Sequence, residues 1–259
     1  MPQPKRLLII AGSDSSGGAG IQADIKTASA FGVYAMTAVT AVTAQNTKTV
    51  SKIHLVPAEV VAAQISACLS DIGADAVKIG MLGSAAIVKS VAAALEKHAR
   101  KIPIVLDPVM VSTSGKTLLP QSAIGALKKY LLPLATLVTP NRPETKALTG
   151  IKITEKAARK LIELGAKAAL IKGGHSTKET IDDVLVWEHG VDVFAFPRIK
   201  TRHTHGTGCT LSTAIACGLA KGEPLPVAVA RAREFLQKAI ETAPGLGKGR
   251  GPLNFLQSE

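Results

Sequence analysis

Aromatic side chains are scarce in this chain: five Phe, two Tyr and one Trp among 259 residues. That is thin material for stacking bases, and it counts against a single-stranded nucleic-acid surface built on aromatic platforms. Cysteine is also sparse. Cys68, Cys209 and Cys217 form an odd set without C-x-x-C spacing, which argues against a disulfide framework and against a cysteine zinc site. Cys68 and Cys217 read as core residues. Long apolar runs are missing too. The opening run, Leu7 to Ala11, is far short of the ~20 residues that a membrane span needs. Met1 to Arg6 is too short a lead for a secretory signal, so a cytoplasmic location is expected. There is no block of like charge, no repeat and no linker, and residues 1–259 therefore read as a single domain.

What the chain does have in excess is positive charge, a formal +12. Nucleic acid is the first partner such a charge suggests. The Lys and Arg residues are scattered over helical segments rather than massed in a stripe, however, so the charge reads as a basic solvated surface. It adds a mild attraction for anionic phosphate substrates. The expected partner is a small molecule, with neither nucleic acid nor membrane.

Short apolar segments alternate with segments of helical period. Arg6–Ala11 reads as a strand entering the glycine-rich loop Gly12–Gly20, with a helix from Ile21 to about Ala30. Further strands are predicted at Val33–Val39, Ala76–Ile79, Ile104–Leu106, Thr136–Val138 and Ala168–Ile171, and helices over Glu59–Ile72 and from Ile87 to Leu95. A hairpin follows, Asp183–Glu188 and Val191–Ala195 around His189-Gly190. Helices over about Thr207–Ala220 and Leu225–Ala243 come next, and the glycine-rich, basic segment Gly245–Gly251 is expected to be mobile. Apolar strands between helices imply a mostly parallel sheet covered on both faces. Four strand ends carry special residues: Gly12-Ser13-Asp14, Asp107-Pro108, Thr139-Pro140-Asn141 and Lys172-Gly173-Gly174. Ligands bind outside the carboxyl ends of such strands, so these four should line one cleft.

Three phosphate-binding signatures compete. Gly18-Ala19-Gly20-Ile21-Gln22-Ala23 fits the dinucleotide pattern G-x-G-x-x-[GA]. A nicotinamide dinucleotide also wants an acidic residue ~20 positions on, and Ile25 to Ala58 holds no Asp, Glu or Arg. Ser114-Gly115-Lys116-Thr117 ends like a Walker loop, but Met110 stands where that loop needs glycine. His205-Gly206-Thr207-Gly208-Cys209-Thr210 precedes a helix of small residues. Successive N–H groups at a helix start bind anions, and glycine lets a phosphate approach closely. A plain capping turn is the alternative reading of that segment.

Taken together, the blocks resemble one family. Ala11 to Thr27, Ala44-Gln45-Asn46-Thr47, Lys78-Ile79-Gly80-Met81-Leu82, Leu106-Asp107-Pro108-Val109-Met110, Thr139-Pro140-Asn141-Arg142-Pro143-Glu144, Lys172-Gly173-Gly174-His175 and Thr204 to Thr210 occur in the family's order over nearly the whole chain. The chain is similar to the hydroxymethylpyrimidine/phosphomethylpyrimidine kinases of the ribokinase-like superfamily. The resemblance implies a ribokinase-like three-layer α/β sandwich with a central, mostly parallel sheet. It also implies ATP and Mg²⁺, a hydroxymethylpyrimidine and its monophosphate as substrates in thiamin biosynthesis, and a homodimer. Ser15 stands where the family often has proline, and His203 where it often has asparagine.

The resemblance assigns roles residue by residue. The backbone of Gly206, Thr207, Gly208 and Cys209 cradles the transferring phosphate. Cys209 occupies the place of the Asp base of many ribokinase relatives. A helix N-terminus next to an anion site can lower a thiol's pKa, so Cys209 is expected either to accept the hydroxyl proton or to orient it. Lys172 reaches the phosphates of ATP as a point charge, and Asn141, Thr207 and Gly208 share the nucleotide side. Glu144, Asp107 and Asn141 offer oxygens to a water-rich Mg²⁺; Glu144 can equally be a first-turn helix charge and Asp107 a turn residue. On the acceptor side, Asp24 and Gln45 resemble the residues that hydrogen-bond the aminopyrimidine, Gly12 offers backbone, Met81 packs on the ring, and Ala19 and Thr43 complete the pocket. Thr43 stands where some members carry a small aliphatic side chain. Asp24 can also be a helix-start charge. His175 and His205 are left out of catalysis. Two other functions remain open: a pyridoxine or pyridoxal kinase, and a non-catalytic pyrimidine-binding protein.

Overall fold

In the computed structural model, which describes residues 3–99, 101–174 and 179–256, the apolar strands are buried on both sides. In β1 (Arg6–Asp14), Leu8 and Ile10 face one side of the sheet while Leu7, Ile9 and Ala11 face the other. The period of two along a strand places them so. The remaining strands are β2 (Tyr34–Gln45), β3 (Val50–Leu55), β4 (Ala76–Ile79), β5 (Ile104–Leu106), β6 (Leu137–Val138), β7 (Ala169–Ile171), β8 (Thr180–Trp187) and β9 (Gly190–Pro197). They form one sheet in the order β3-β2-β1-β4-β5-β6-β7-β8-β9. Strands from β2 to β7 in that order pair in parallel; β3, β8 and β9 add antiparallel edges.

Helices cover both faces. α2 (Ala58–Asp71) and α3 (Ala85–His98) bury Val61, Ile65, Ile87, Val91 and Leu95 against Leu8, Ile10, Val77 and Ile79. α1 (Gly20–Ala30), α7 (Thr207–Ala220) and α8 (Leu225–Glu241) pack on the opposite face, on Leu7, Ile9, Val105 and Leu170. The described chain also has α4 (Gln121–Ala126), α5 (Arg142–Thr149) and α6 (Thr154–Glu163). α7 is buried on nearly every side from Thr210 to Gly218, which its run of small and apolar residues permits. This is the three-layer sandwich implied by the resemblance.

Some details differ from the sequence reading. β2 runs on to Gln45 instead of ending at Val39, because Thr40 and Thr43 are buried polar residues on the strand's cavity end. β3 was not foreseen: it is an edge strand, exposed along most of its length, and has no apolar period to betray it. In the hairpin the turn falls on Glu188-His189, since Gly190 at φ 135° already pairs with Trp187. Gly245–Gly251 is exposed over most of its length but tied down at several points. The Arg250 N–H donates to the Thr47 carbonyl and the His205 N–H to the Gly251 carbonyl. A Cβ on Gly247, Gly249 or Gly251 would collide with Thr47 or His203, so these glycines serve close approach rather than slack.

The chain passes from β2 on one side of β1 to β4 on the other. That reversal opens a crevice at the carboxyl ends of the strands, and the N-terminus of α7 points into the same region.

Candidate active site

A cavity of about 950 Å³ lies at those strand ends. Gly12 of β1, Asp107 after β5, Asn141 after β6 and Lys172 after β7 all line it, as does the segment Gly206–Cys209. The four strand ends are thus brought together by topology.

Gly206 adopts φ 86° and a Cβ there would strike the Gly18 carbonyl, so only glycine fits. It starts α7 without a side-chain cap. The Thr210 N–H bonds back to the Gly206 carbonyl, which leaves the N–H groups of Gly208 and Cys209 at the open helix start, where no acceptor exists within the helix. A methyl group on Gly208 would stand 3.3 Å from Lys172 Nζ and 3.5 Å from Asp107 Oδ2. The bare backbone therefore borders the site's cation directly. Lys172 Nζ donates to Asp107 Oδ1 at 2.7 Å, and Thr139 Oγ1 donates to the same oxygen at 3.2 Å. Burial opposes the ammonium charge, but Asp107 and Glu144 outweigh burial and raise Lys172 to about 12. It is cationic at any working pH.

Asn141 and Glu144 form a reciprocal cap on α5. The Glu144 N–H donates to Asn141 Oδ1 at 2.9 Å, and the Asn141 N–H donates to Glu144 Oε2 at 2.8 Å. Glu144 is nevertheless buried beside the cavity. Burial, reinforced by the negative Asp107, pushes its carboxyl up to about 7 despite Lys172. A divalent cation suits this corner. Two carboxylates face one cavity, one of them penalised for its charge, and Mg²⁺ commonly uses one or two carboxylates and keeps several waters. Among the described residues no cluster of three or more His, Cys, Asp or Glu makes a closed cage.

Gly12, Ala19, Thr43, Gln45 and Met81 also line the cavity. A Cβ on Gly12 would lie 3.0 Å from Met81 Sδ, so its absence lets the thioether close the pocket. Asp24 is a correction. It is fully buried and does not reach the cavity: Lys78 Nζ holds one oxygen at 2.7 Å and Thr213 Oγ1 donates to the other at 2.8 Å. Cys209 lines the cavity, but its thiol is not activated by the helix start. Burial pushes it up to about 11, even with Lys78 and the Gly20 backbone acting to lower it. His175 lies outside the described residues.

Three groups carry no role in the sequence reading. Lys78 borders the cavity floor from β4; a lysine inside an otherwise apolar four-residue strand was the available signal. Asp183 accepts from the Gly173 N–H at 2.7 Å and so supports the loop after Lys172. His205 is buried in the cavity wall against Asp14.

The cavity brings together an open helix start, a fixed cation and two carboxylates. A profile described as phosphomethylpyrimidine kinase matches residues 14–254. The chain belongs to the phosphomethylpyrimidine kinase family. A hydroxymethylpyrimidine/phosphomethylpyrimidine kinase of Haemophilus influenzae is 46% identical over 98% of this chain and 97% of its own. A bifunctional thiamine biosynthesis protein, ThiED, of Geobacter sulfurreducens is 48% identical over 96% of the chain, which spans about half (52%) of that longer relative. Among solved structures, a phosphomethylpyrimidine kinase of Clostridium difficile superposes with a TM-score of 0.81 at 43% identity, covering 91% of this chain and 99% of its own. An ADP complex of Bacillus subtilis pyridoxal kinase superposes with a TM-score of 0.89 at 35% identity, covering 98% of both.

Proposed function

We propose that this chain is an ATP-dependent kinase that phosphorylates 4-amino-5-hydroxymethyl-2-methylpyrimidine and then its monophosphate, for thiamin biosynthesis. The observation that carries the reading is the open start of α7 beside Lys172, facing an acceptor pocket floored by Gly12 and Met81.

The acceptor hydroxymethyl group lies between Gln45 and the nest. Its oxygen attacks the terminal phosphorus of ATP and the bond to the ADP oxygen breaks. The N–H groups of Gly208 and Cys209 and the Lys172 ammonium hold the phosphoryl oxygens as charge moves to the leaving group. Lys172, Asn141, Thr207 and Gly208 hold the nucleotide, and the apolar wall of Ile199, Leu236 and Ile240 suits its base. Glu144 and Asp107 would hold Mg²⁺, which would supply neutralisation of phosphate charge. With its thiol protonated at neutral pH, Cys209 orients the hydroxyl by a hydrogen bond. The nucleophile's proton leaves late in a loose transition state and passes to an oxygen of the transferred phosphoryl group, so little basicity is required of Cys209. The chain works as one kinase domain and, by the family resemblance, as a cytoplasmic homodimer; sedimentation tests the dimer.

A second reading is pyridoxal phosphorylation, favoured by solved pyridoxal kinases at 34–35% identity. ATP consumption with Mg²⁺ against the hydroxymethylpyrimidine and pyridoxal, with product masses, separates the two. Mono- then diphosphate of the pyrimidine supports the first reading. Turnover of pyridoxal alone replaces it, and turnover of neither overturns both.

A further inference from the structure

His205 touches three parts of the site at once. Its Nε2 lies 2.7 Å from Asp14 Oδ2 and 3.2 Å from the Gln45 amide nitrogen, and its Nδ1 lies 3.4 Å from Thr113 Oγ1. The ring is almost fully buried, with 5% of its surface exposed. It is also joined to the nest by the chain itself, through Gly206.

The donor count at this junction decides the orientation of Gln45. Asp14 accepts from the Ser16 N–H, the Ser16 hydroxyl, the Ala19 N–H and His205. Burial acts to raise its pKa, but the hydrogen bonds from His205 and Ser16 win and hold it below the usual carboxylate range. An ionised carboxylate only accepts, so His205 Nε2 carries a proton whether the ring is neutral or charged. The Gln45 amide nitrogen, also a donor, then faces a donor at 3.2 Å. At the other end, Gln45 Oε1 lies 3.3 Å from Thr43 Oγ1, whose hydroxyl already donates to the Ser13 carbonyl at 2.9 Å. Both conflicts vanish if the amide is turned by half a turn, a choice that hydrogen-bond networks and not atomic positions decide. His205 Nε2–H then donates to the amide oxygen as well as to Asp14, and one amide N–H donates to Thr43 Oγ1. The second N–H is left for the cavity.

We infer that His205 is a specificity-determining positioning residue, which fixes the Gln45 amide so that an N–H points at the ring of the acceptor. The ligand class this selects is a heteroaromatic ring with an acceptor nitrogen beside an exocyclic amine: the nitrogen takes the amide N–H, and the amine donates to the amide oxygen. The inference rests on the kinase reading above and adds to it how the pocket tells such rings from others.

The test is a double-mutant cycle on the hydroxymethylpyrimidine, after wild-type turnover of that substrate has been established. His205→Ala should raise the pyrimidine KM about tenfold, the loss expected when an orienting hydrogen bond goes, with kcat and the ATP KM changed far less. In a Gln45→Ala background the same substitution should have almost no further effect on that KM, because its target is gone. Additive effects, an unchanged KM, or a loss confined to kcat and the ATP KM would overturn the inference while leaving the kinase reading intact. A measurement on the unmutated, ¹⁵N-labelled protein guards against a variant that fails to fold. Long-range ¹H–¹⁵N correlation should show His205 Nε2 protonated, and an unprotonated Nε2 would remove the argument at its root.

Discussion

Lys78 Nζ stands 2.7 Å from Asp24 Oδ2, and neither side chain has any exposed surface. The pair joins β4 to α1, and through Thr213 to α7. Removing one partner strands a buried charge, so Asp24→Ala should cost about 3–5 kcal/mol of unfolding free energy. Replacing the pair together with apolar residues should cost much less. Denaturant midpoints of the single and double variants check this. Unchanged stability with a raised pyrimidine KM would return Asp24 to the substrate.

Cys209 separates orientation from proton abstraction. Cys209→Ala should lower kcat by about 10²-fold, the usual size of a lost proton-handling or orienting group, while Cys209→Ser should retain most of it. In the wild type, kcat should not climb tenfold per pH unit between pH 7 and 9. Such a climb, absent in Cys209→Ser, would mean that the thiolate is the base.

Lys172→Met should reduce kcat/KM for ATP by about 10²–10³-fold, in the range found when one transition-state donor is removed. The KM for the acceptor should move little, because the proposed reading sets Lys172 on the phosphates of ATP. A larger effect on the acceptor KM than on ATP would displace Lys172 from the phosphates.

Glu144 gives the ligand-free protein a distinctive pH dependence. Its folded-state carboxyl titrates at about 7, above the ordinary 4.5, so between those values the folded state binds more protons than the unfolded one. Stability from this group is therefore present at low pH and is lost as pH rises from 4.5 through 7. Glu144→Gln keeps the helix cap, since glutamine serves at that position. It should flatten the slope and raise stability at pH 8 by on the order of 1–3 kcal/mol. Thermal midpoints at pH 5.5 and 8 provide the comparison, and identical slopes in both proteins would refute it.

The strands β1, β2, β4, β5, β6 and β7 and the helices α1, α2, α3, α7 and α8 were legible because each is a short apolar run or carries an apolar period and ends at glycine, proline or a polar residue; α4 and α6 were not read from the sequence. β3 was not, since an edge strand draws its order from pairing with β2. The contacts made at Gly247, Gly249 and Gly251 were not legible for a related reason. Glycine signals freedom along the chain, yet here it marks a place where Thr47 and His203 leave no room for a side chain.

By itself the sequence determined the class of the protein: an alternating α/β chain whose ordered motifs place phosphate-binding backbone, a lysine and carboxylates at strand ends. Those are properties of residue type and local spacing, and both can be read in one dimension. Only the tertiary structure decided what each group touches. It sent Asp24 to Lys78 instead of the cavity, raised the Cys209 thiol by burying it, and set His205 against Asp14 from 191 positions away. Burial, charge pairing and hydrogen-bond direction depend on neighbours distant in the chain, and those neighbours exist only once the sheet has closed its layers around them.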